Sequence, residues 1–470
     1  MDLPPQSIHV WRQCSTLTVA RNLYEEGMNP FQPRIDQRFD TNGVTGMQFP
    51  AYEFLVALGY KLVGFHNFVH RCISFCVFMM GAWGTYELFT LLFLTPWAAA
   101  LGAWFFCWSP ELFFFGISAL PDVLALASSI WGLFFFILWF KKGGFAPYGL
   151  SLAATTLGGL SKIQYLVIGF PIAVLVLSGK GNYPWGKRVA LSGYALFTVG
   201  LTLSWYFYAA HLIHVSGLSD YDLGFGLPPS FAWAAKVVWH NAVSEIPELI
   251  LNYATFTFFI FGIYAFFKNE KWKSPWFLPL AVWGGAILLY YLIEIRKMGV
   301  HSYYLLPFLP LLLVVAVLGG LFLRDSKYRW LFVFLLAAQP CVAFFRIVPH
   351  RFWSDDKAVP RELYDEESRQ RLEKAVPNDK LCVVGADNSR TIYFYYLHKK
   401  GFGFDQVTDL IAPADGKPLI EQYVRRGAQY LYADDLSTAT AKGLGPYLKS
   451  EVLEEGSFKV FKLGLPGVNK

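Results

Sequence analysis

Gly46-Met47-Gln48-Phe49-Pro50-Ala51-Tyr52 stands on a border between two kinds of sequence. Upstream of it, from His9, the chain is polar and crowded with ionisable groups: His9, Arg12, Asp36, Arg38 and Asp40, with Glu53 just beyond the border. Downstream, to about Val348, apolar segments of membrane-spanning length dominate. Charge this dense beside hydrocarbon-compatible sequence places a working polar loop at a membrane surface, with the helices as scaffold and cleft.

Working downstream, residues 50–65 are too short and too polar to span and are expected to form an amphipathic helix in the membrane interface. Ten candidate spans follow, at about 69–92, 96–116, 121–140, 145–161, 163–179, 188–212, 247–267, 275–293, 302–323 and 329–347. Crossing ~30 Å of hydrocarbon takes about 20 apolar residues. The whole chain is 55% hydrophobic and only 16% charged, whereas soluble domains carry about 25% charge. The fold class is therefore mainly α: a polytopic helical membrane protein. Upstream of the border, a helix over about Ser15–Glu26 and an irregular run through Pro30, Pro33 and Gly43 are expected.

Composition changes again near residue 350. Cys382 to Asp387 reads as a buried strand and turn, Arg390–Lys400 and Pro418–Arg426 as helices, and Ala428–Ala433 and Phe458–Leu463 as strands. Alternating strands and helices indicate a small C-terminal α/β domain. The division is thus 1–65 (external loop with interfacial helix), 66–348 (transmembrane helices, with an external loop at 213–246) and 349–470 (external α/β domain).

Orientation follows the basic residues of the connecting loops. Lys141, Lys142, Lys180, Lys187, Arg188, Lys268, Lys271, Lys273, Arg324, Lys327 and Arg329 fall in one set of loops; Lys162, Lys236, Arg296 and Lys297 fall in the other. The richer set is assigned to the cytoplasm, which puts the opening loop and the C-terminal domain outside. An external opening loop normally follows a span that carries it across. Met1-Asp2-Leu3-Pro4-Pro5 offers neither a basic nor an apolar leader, so we expect a first span upstream. The net charge of +6 is explained by topology, and no nucleic-acid partner is indicated. The six cysteines show no metal-ligand spacing and no disulfide framework.

Four places carry candidate chemistry. The opening loop offers His9, Arg12, Gln13, Asp36, Asp40, Gln48 and Glu53 for binding an acceptor and a phosphate, with a carboxylate as general base; the bland alternative is a solvated loop. Asp122 follows Pro121 at the start of the third span, where it either caps the helix or serves a substrate or metal. Lys162 ends the fourth span, as a phosphate ligand or a snorkelling side chain. Arg296, Lys297, His301, Tyr303 and Tyr304 sit at the mouth of the ninth span, as a phosphate clamp or an aromatic belt. The 213–246 loop adds His214, Asp220, Asp222, Lys236, His240 and Glu245. There is no P-loop, zincin, serine-elbow or haem motif.

Taken in order, several pieces resemble the C-type glycosyltransferase superfamily: Val19-Ala20-Arg21-Asn22-Leu23-Tyr24-Glu25-Glu26-Gly27, Phe49-Pro50 leading into an interfacial helix, Pro121-Asp122, Lys162, and His301-Ser302-Tyr303-Tyr304-Leu305-Leu306-Pro307. The nearest branch is that of bacterial aminoarabinose transferases and protein mannosyltransferases, over about residues 8–348. The resemblance implies transfer of a hexose or pentose, with inversion, from a polyprenyl-phosphate donor to a lipid, glycan or protein acceptor, as in lipopolysaccharide or protein glycosylation. It implies a multi-pass enzyme of the bacterial inner membrane. No cofactor is assigned, and a divalent cation stays open, with its ligands unknown. In that family the first external loop opens with an Asp-Glu pair, where this chain carries Arg12 and Gln13, and an acid often stands at Gln48. Trp11-Arg12-Gln13 is similar to a version of the loop found in a subgroup. The acids then singled out are Asp40 and Asp122, with Asp36 and Glu53 in reserve. Two other classes compete: a catalytically inactive relative acting as a binding or assembly subunit, and a transporter of a lipid-linked substrate. The transporter would need charges at mid-span, where Glu87 and Glu111 are the residues to inspect.

Overall fold

A computed structural model of the chain describes residues 3–178, 183–218, 228–354, 359–414, 417–434, 436 and 443–467. Lys180, Asp220 and Asp222 lie outside the described residues. The chain divides into two compact units: residues 68–208 with 223–353, and residues 2–67 with 209–222 and 354–470.

The first unit is helical, because a backbone in hydrocarbon has no water to bond and must satisfy itself within each segment. Among the described residues, five helices are long and apolar enough to cross a membrane: Asn67–Phe93, Pro121–Lys142, Trp185–Ser216, Ser302–Arg324 and Arg329–Phe352. A sixth path, Phe231–Ile250 plus Tyr253–Lys268, bends by 115° at its break. Asn252 takes the bend with a left-handed φ of 74°, and its side chain accepts a hydrogen bond from the Ala254 amide at 3.0 Å. Pro96–Cys107, Ile163–Ser178 and Phe277–Ile293 are apolar but shorter. Exposed apolar side chains such as Trp83, Phe207, Leu288 and Phe334 suit a lipid-facing surface.

Several expected spans are interrupted. Residues 96–116 form Pro96–Cys107 and Pro110–Phe115, because Pro110 has no amide to donate and starts a new helix. Residues 163–179 open as a 3-10 turn, Ile163–Ile168, before the helix Gly169–Ser178. The expected loop at 213–246 is largely helix: Trp185–Ser216 runs into it, and Phe231–His240 continues as a π-helix, Asn241–Ile250. Tyr253–Lys268 and Leu309–Arg324 pack at unusually close range. A Cβ on Gly262 would collide with the Val315 carbonyl, and one on Gly319 with that of Phe258.

The second unit joins the opening segment to the C-terminal α/β fold. Its first helix starts earlier than expected, as Val10–Glu26. Ala51–Val63 buries Tyr52, Val56, Ala57 and Tyr60 and exposes Leu55, Leu58 and Leu62 on another face, the pattern expected of an interfacial helix. Met47 packs with Val19, Leu23, Ile35, Ala57 and Leu218. Gly46 must be glycine, since a Cβ there would strike the Ala209 carbonyl.

The sheet has the order Lys400–Gly403, Leu381–Gly385, Tyr430–Ala433, Phe458–Leu463, Leu448–Glu455; the first three strands are parallel and the others antiparallel. Lys400–Gly403 and Leu448–Glu455 were not anticipated. The expected helix 390–400 is only Ile392–Leu397, because His398 turns left-handed at φ 51° and frees Lys400 to begin a strand. That strand is the sheet's edge, and the opening loop covers it: Phe39 N–H donates to Gly401 O at 2.8 Å and Gly401 N–H to Asp36 O at 3.0 Å.

A buried ionic network fastens this arrangement. Arg21 donates to Asp36 at 2.5 Å and to Tyr395 O at 2.8 Å, and Asn22 donates to the other Asp36 oxygen at 2.9 Å. Arg38 and Lys400 converge on Glu26 at 3.0 and 2.5 Å. His398 lies between Glu25 at 2.9 Å and Glu373 at 3.2 Å. Burial and Arg21 disfavour its charged form, but hydrogen bonds to the two glutamates outweigh them, and its pKa rises above the ordinary 6.5.

Two outcomes follow. Arg21→Met leaves Asp36 buried beside an apolar chain and should cost about 3–5 kcal/mol of stability in the second unit, read by thermal unfolding. Arg21→Met/Asp36→Asn should recover much of it; equal loss in single and double variants would show that packing, not charge, is at stake. His398 binds its proton more tightly when folded. Its contribution is therefore complete below about pH 6.5 and fades as pH rises through the higher folded value. The fall in melting temperature across that window should shrink in His398→Gln.

Candidate active site

In the first unit, the sequence-selected residues of three separate segments meet. Pro121 sets the first turn of Pro121–Lys142, its fixed φ suiting that position, and Asp122 follows, fully buried. The helix Phe145–Ser161 runs back beside it, and Lys162 caps its end in extended backbone. Lys162 Nζ lies 3.5 Å from Asp122 Oδ2. The ammonium also faces the rings of Tyr304 and Tyr303, at 5.2 and 5.9 Å from their centroids. His301 stacks on the rings of Tyr303 at 5.4 Å and Tyr304 at 5.9 Å. Lys297 reaches Tyr304 from another side at 5.9 Å and pairs with Glu294 at 3.2 Å. Arg296, next to it, is exposed.

Among the described residues, neither Asp122 oxygen accepts a hydrogen bond, and the buried hydroxyls of Ser161 and Tyr165 have no partner. Buried polar atoms are satisfied in the great majority of cases, so such groups in one region mark a place built for something polar. Burial and low dielectric would strengthen any charge interaction there.

Sequence reasoning missed the residues that hold this cluster in place. Glu111, marked for inspection only as a mid-span charge, is buried and accepts a hydrogen bond from Ser302 Oγ at 2.6 Å, pinning the turn Ser302–Phe308 that presents Tyr303 and Tyr304. Asn241 donates to Tyr291 Oη at 2.9 Å and to Met298 O at 3.3 Å, fixing the short helix Ile295–Met298 that bears Arg296 and Lys297. Nothing in sequence spacing links residue 111 to 302 or 241 to 298. Glu87, the other mid-span acid, is satisfied locally by Trp83 Nε1 at 3.1 Å. Beside these helices an apolar cavity of about 580 Å³, lined among others by Phe136, Leu166, Phe170, Ile172 and Tyr194, has the character of a lipid-chain groove.

The second unit holds the remaining candidates, which the structure treats differently. Asp36 is consumed by Arg21 and Asn22. Asp40 is partly exposed and ion-paired with Arg426, whose hydrogen bond holds its carboxyl below the usual carboxylate range. Glu53 is fully buried and receives a hydrogen bond from Gln48 Nε2 at 3.4 Å. Gln13 ties down the chain start through Gln6 O at 3.1 Å and Ile8 O at 3.3 Å. Arg12 is buried, and His9 caps its helix with a left-handed φ of 52°. Among the described residues, no group of three or more His, Cys, Asp or Glu converges as metal ligands do.

With this geometry in view, comparisons with known proteins become informative. Residues 48–206 match the dolichyl-phosphate-mannose-protein mannosyltransferase family. No curated protein matches the sequence. The fold matches the apo crystal structure of ArnT from Cupriavidus metallidurans with a TM-score of 0.62, at 14% identity, over 96% of this chain and 93% of that one. The same enzyme bound to undecaprenyl phosphate gives 0.59 at 13% identity, over 97% and 94%. An oligosaccharyltransferase from Archaeoglobus fulgidus, in complex with zinc and sulfate, gives 0.54 at 13% identity, over 96% and 68%. The family match covers the Glu53 and Asp122–Lys162 segments, and the fold match covers nearly everything. The family match is confined to residues 48–206, and what the chain shares with ArnT and the oligosaccharyltransferase is their fold.

Proposed function

We propose that this protein is a membrane glycosyltransferase that moves a sugar from a polyprenyl-phosphate donor to a lipid, glycan or protein acceptor. The observation that carries the reading is the buried Asp122–Lys162 pair under the Tyr303–Tyr304–His301 rim, on the fold of ArnT. The apolar cavity supports it by offering a path for a prenyl chain.

In the reaction, the bond between the anomeric carbon and the donor phosphate breaks and the phosphate leaves as an anion. Lys162 is suited to meet that growing charge, with Lys297 and Arg296 adding positive potential at the rim. The acceptor oxygen bonds to the anomeric carbon in place of the phosphate and loses its proton to a carboxylate. Asp122 and Glu53 are the acids best suited as base, since both are fully buried and neither Asp122 oxygen accepts a hydrogen bond. Asp40 is a poor base because Arg426 neutralises it, and Asp36 because Arg21 and Asn22 occupy both its oxygens. Inversion, the residue ranges of the functional segments, an external location of the C-terminal domain and a bacterial inner-membrane setting belong to this proposal. The chelator arm of the assay tests for a divalent cation.

A second reading, an inactive relative serving as an assembly subunit, draws on Arg12, Gln13 and Gln48 at positions where the family carries acids.

Membranes holding wild type, Asp40→Asn, Glu53→Gln and Asp122→Asn, supplied with a radiolabelled polyprenyl-phosphate sugar with and without chelator, separate these readings. Loss of a general base costs about 10²–10⁴-fold in rate. We expect that loss in Asp122→Asn or Glu53→Gln, and a change within about twofold in Asp40→Asn, as for an exposed pair of small energetic weight. Full activity in folded Asp122→Asn and Glu53→Gln would remove both from the mechanism. Absence of turnover by wild type across a broad donor panel would favour the subunit reading. Lys162→Met should lower turnover while Lys162→Arg restores part of it, because the charge rather than the chain length meets the phosphate.

A further inference from the structure

At the far end of the Leu309–Arg324 helix from the Tyr303 rim lies a cavity of about 820 Å³ that the transfer reaction does not use. Phe261, Leu318 and Phe322 form apolar walls along two close-packed helices. Lys268, Lys271 and Lys327 line the mouth. Lys268 is held over the rings of Tyr264 and Phe322, at 5.5 and 5.3 Å, and Lys327 over Tyr328 at 5.2 Å. One acid, Asp325, lines the cavity too, but its carboxylate is bound by Arg324 at 2.7 and 2.9 Å, and nearby Glu270 is bound by Lys273. Among the described residues, none of the three mouth lysines has a carboxylate within ion-pair distance.

We propose that this cavity binds an anionic phospholipid, one acyl chain against Phe261, Leu318 and Phe322 and the phosphate among Lys268, Lys271 and Lys327. Both flanking helices end here, at Lys268 and Arg324, so the mouth sits where apolar helix gives way to polar loop, at the depth of lipid headgroups. The helix C-termini present carbonyls that repel an anion, so the lysine side chains must supply the attraction. An apolar slot with a cationic mouth matches an acyl chain joined to a phosphate better than it matches either part alone, and basic pockets between helix ends recognise such headgroups. The rigid contact through Gly262 and Gly319 keeps the slot open in one shape.

Native mass spectrometry of the detergent-solubilised full chain tests the assignment, with phosphatidylglycerol and phosphatidylcholine offered in equal amounts. Wild type should retain phosphatidylglycerol preferentially. Lys268→Gln/Lys271→Gln/Lys327→Gln should weaken that retention by about tenfold or more, on the attraction each lysine contributes at a lipid surface. Lys141→Gln/Lys142→Gln, which alters a different basic loop, should leave it unchanged. Leu318→Trp, which fills the slot and keeps the lysines, should also lose the lipid and guards against misfolding of the triple variant. Equal retention of both lipids, retention by the triple variant, or no effect of Leu318→Trp would overturn the proposal. So would inorganic phosphate competing as well as phosphatidylglycerol, since it would mark a free-phosphate site.

Discussion

Hydrocarbon cannot hydrogen-bond to a peptide group, and the first unit is arranged around that constraint. Its backbone is helical almost throughout, and polar work is confined to the helix ends. Where a helix breaks inside the apolar region, a local device repairs the break: Asn252 caps its own bend, and Ser302 gives its hydroxyl to Glu111. Those repairs also aim the rim. The same Ser302 turn that interrupts a span presents Tyr303 and Tyr304 to Lys162. Polar backbone at a helix end and polar chemistry at the site are thus one solution.

The second unit obeys a different constraint. An edge strand and an N-terminal helix bearing Arg21 could each be a liability, the one for aggregation and the other for an unpaired buried charge. The opening loop answers both, with its backbone along Lys400–Gly403 and its Asp36 against Arg21. Two of the four acids selected from sequence are engaged in ion pairs of this unit. Asp36 and Asp40 are acidic residues in a polar loop, as a catalytic base would be, yet their partners Arg21 and Arg426 lie 15 and 386 residues away.

How much was legible depended on the range of the signal. Apolar length and turn residues are local, so the helices 51–63, 121–142 and 302–324 and the strand 458–463 could be read directly. The edge strand at 400 was hidden because its residues continue a helical-looking run, and only the left-handed turn at His398 ends that run. Among the candidates, Asp122, Lys162 and the 301–304 segment could be singled out because ionisable groups at span ends are rare. Glu111, Asn241, Glu294 and Tyr165 could not, because their roles exist only through residues far along the chain.

The sequence by itself determined the class of protein. Runs of apolar residues set helices of membrane length, and the scarcity of charge within them forced the ionisable groups to a few ends, since a charge in hydrocarbon is too costly to leave without purpose. Tertiary structure decided which acids are bound in ion pairs and which are buried, and which cations face a ring or a carboxylate. Those are questions of distances between segments, and a charge's pKa and reach depend on such distances rather than on neighbours in the chain.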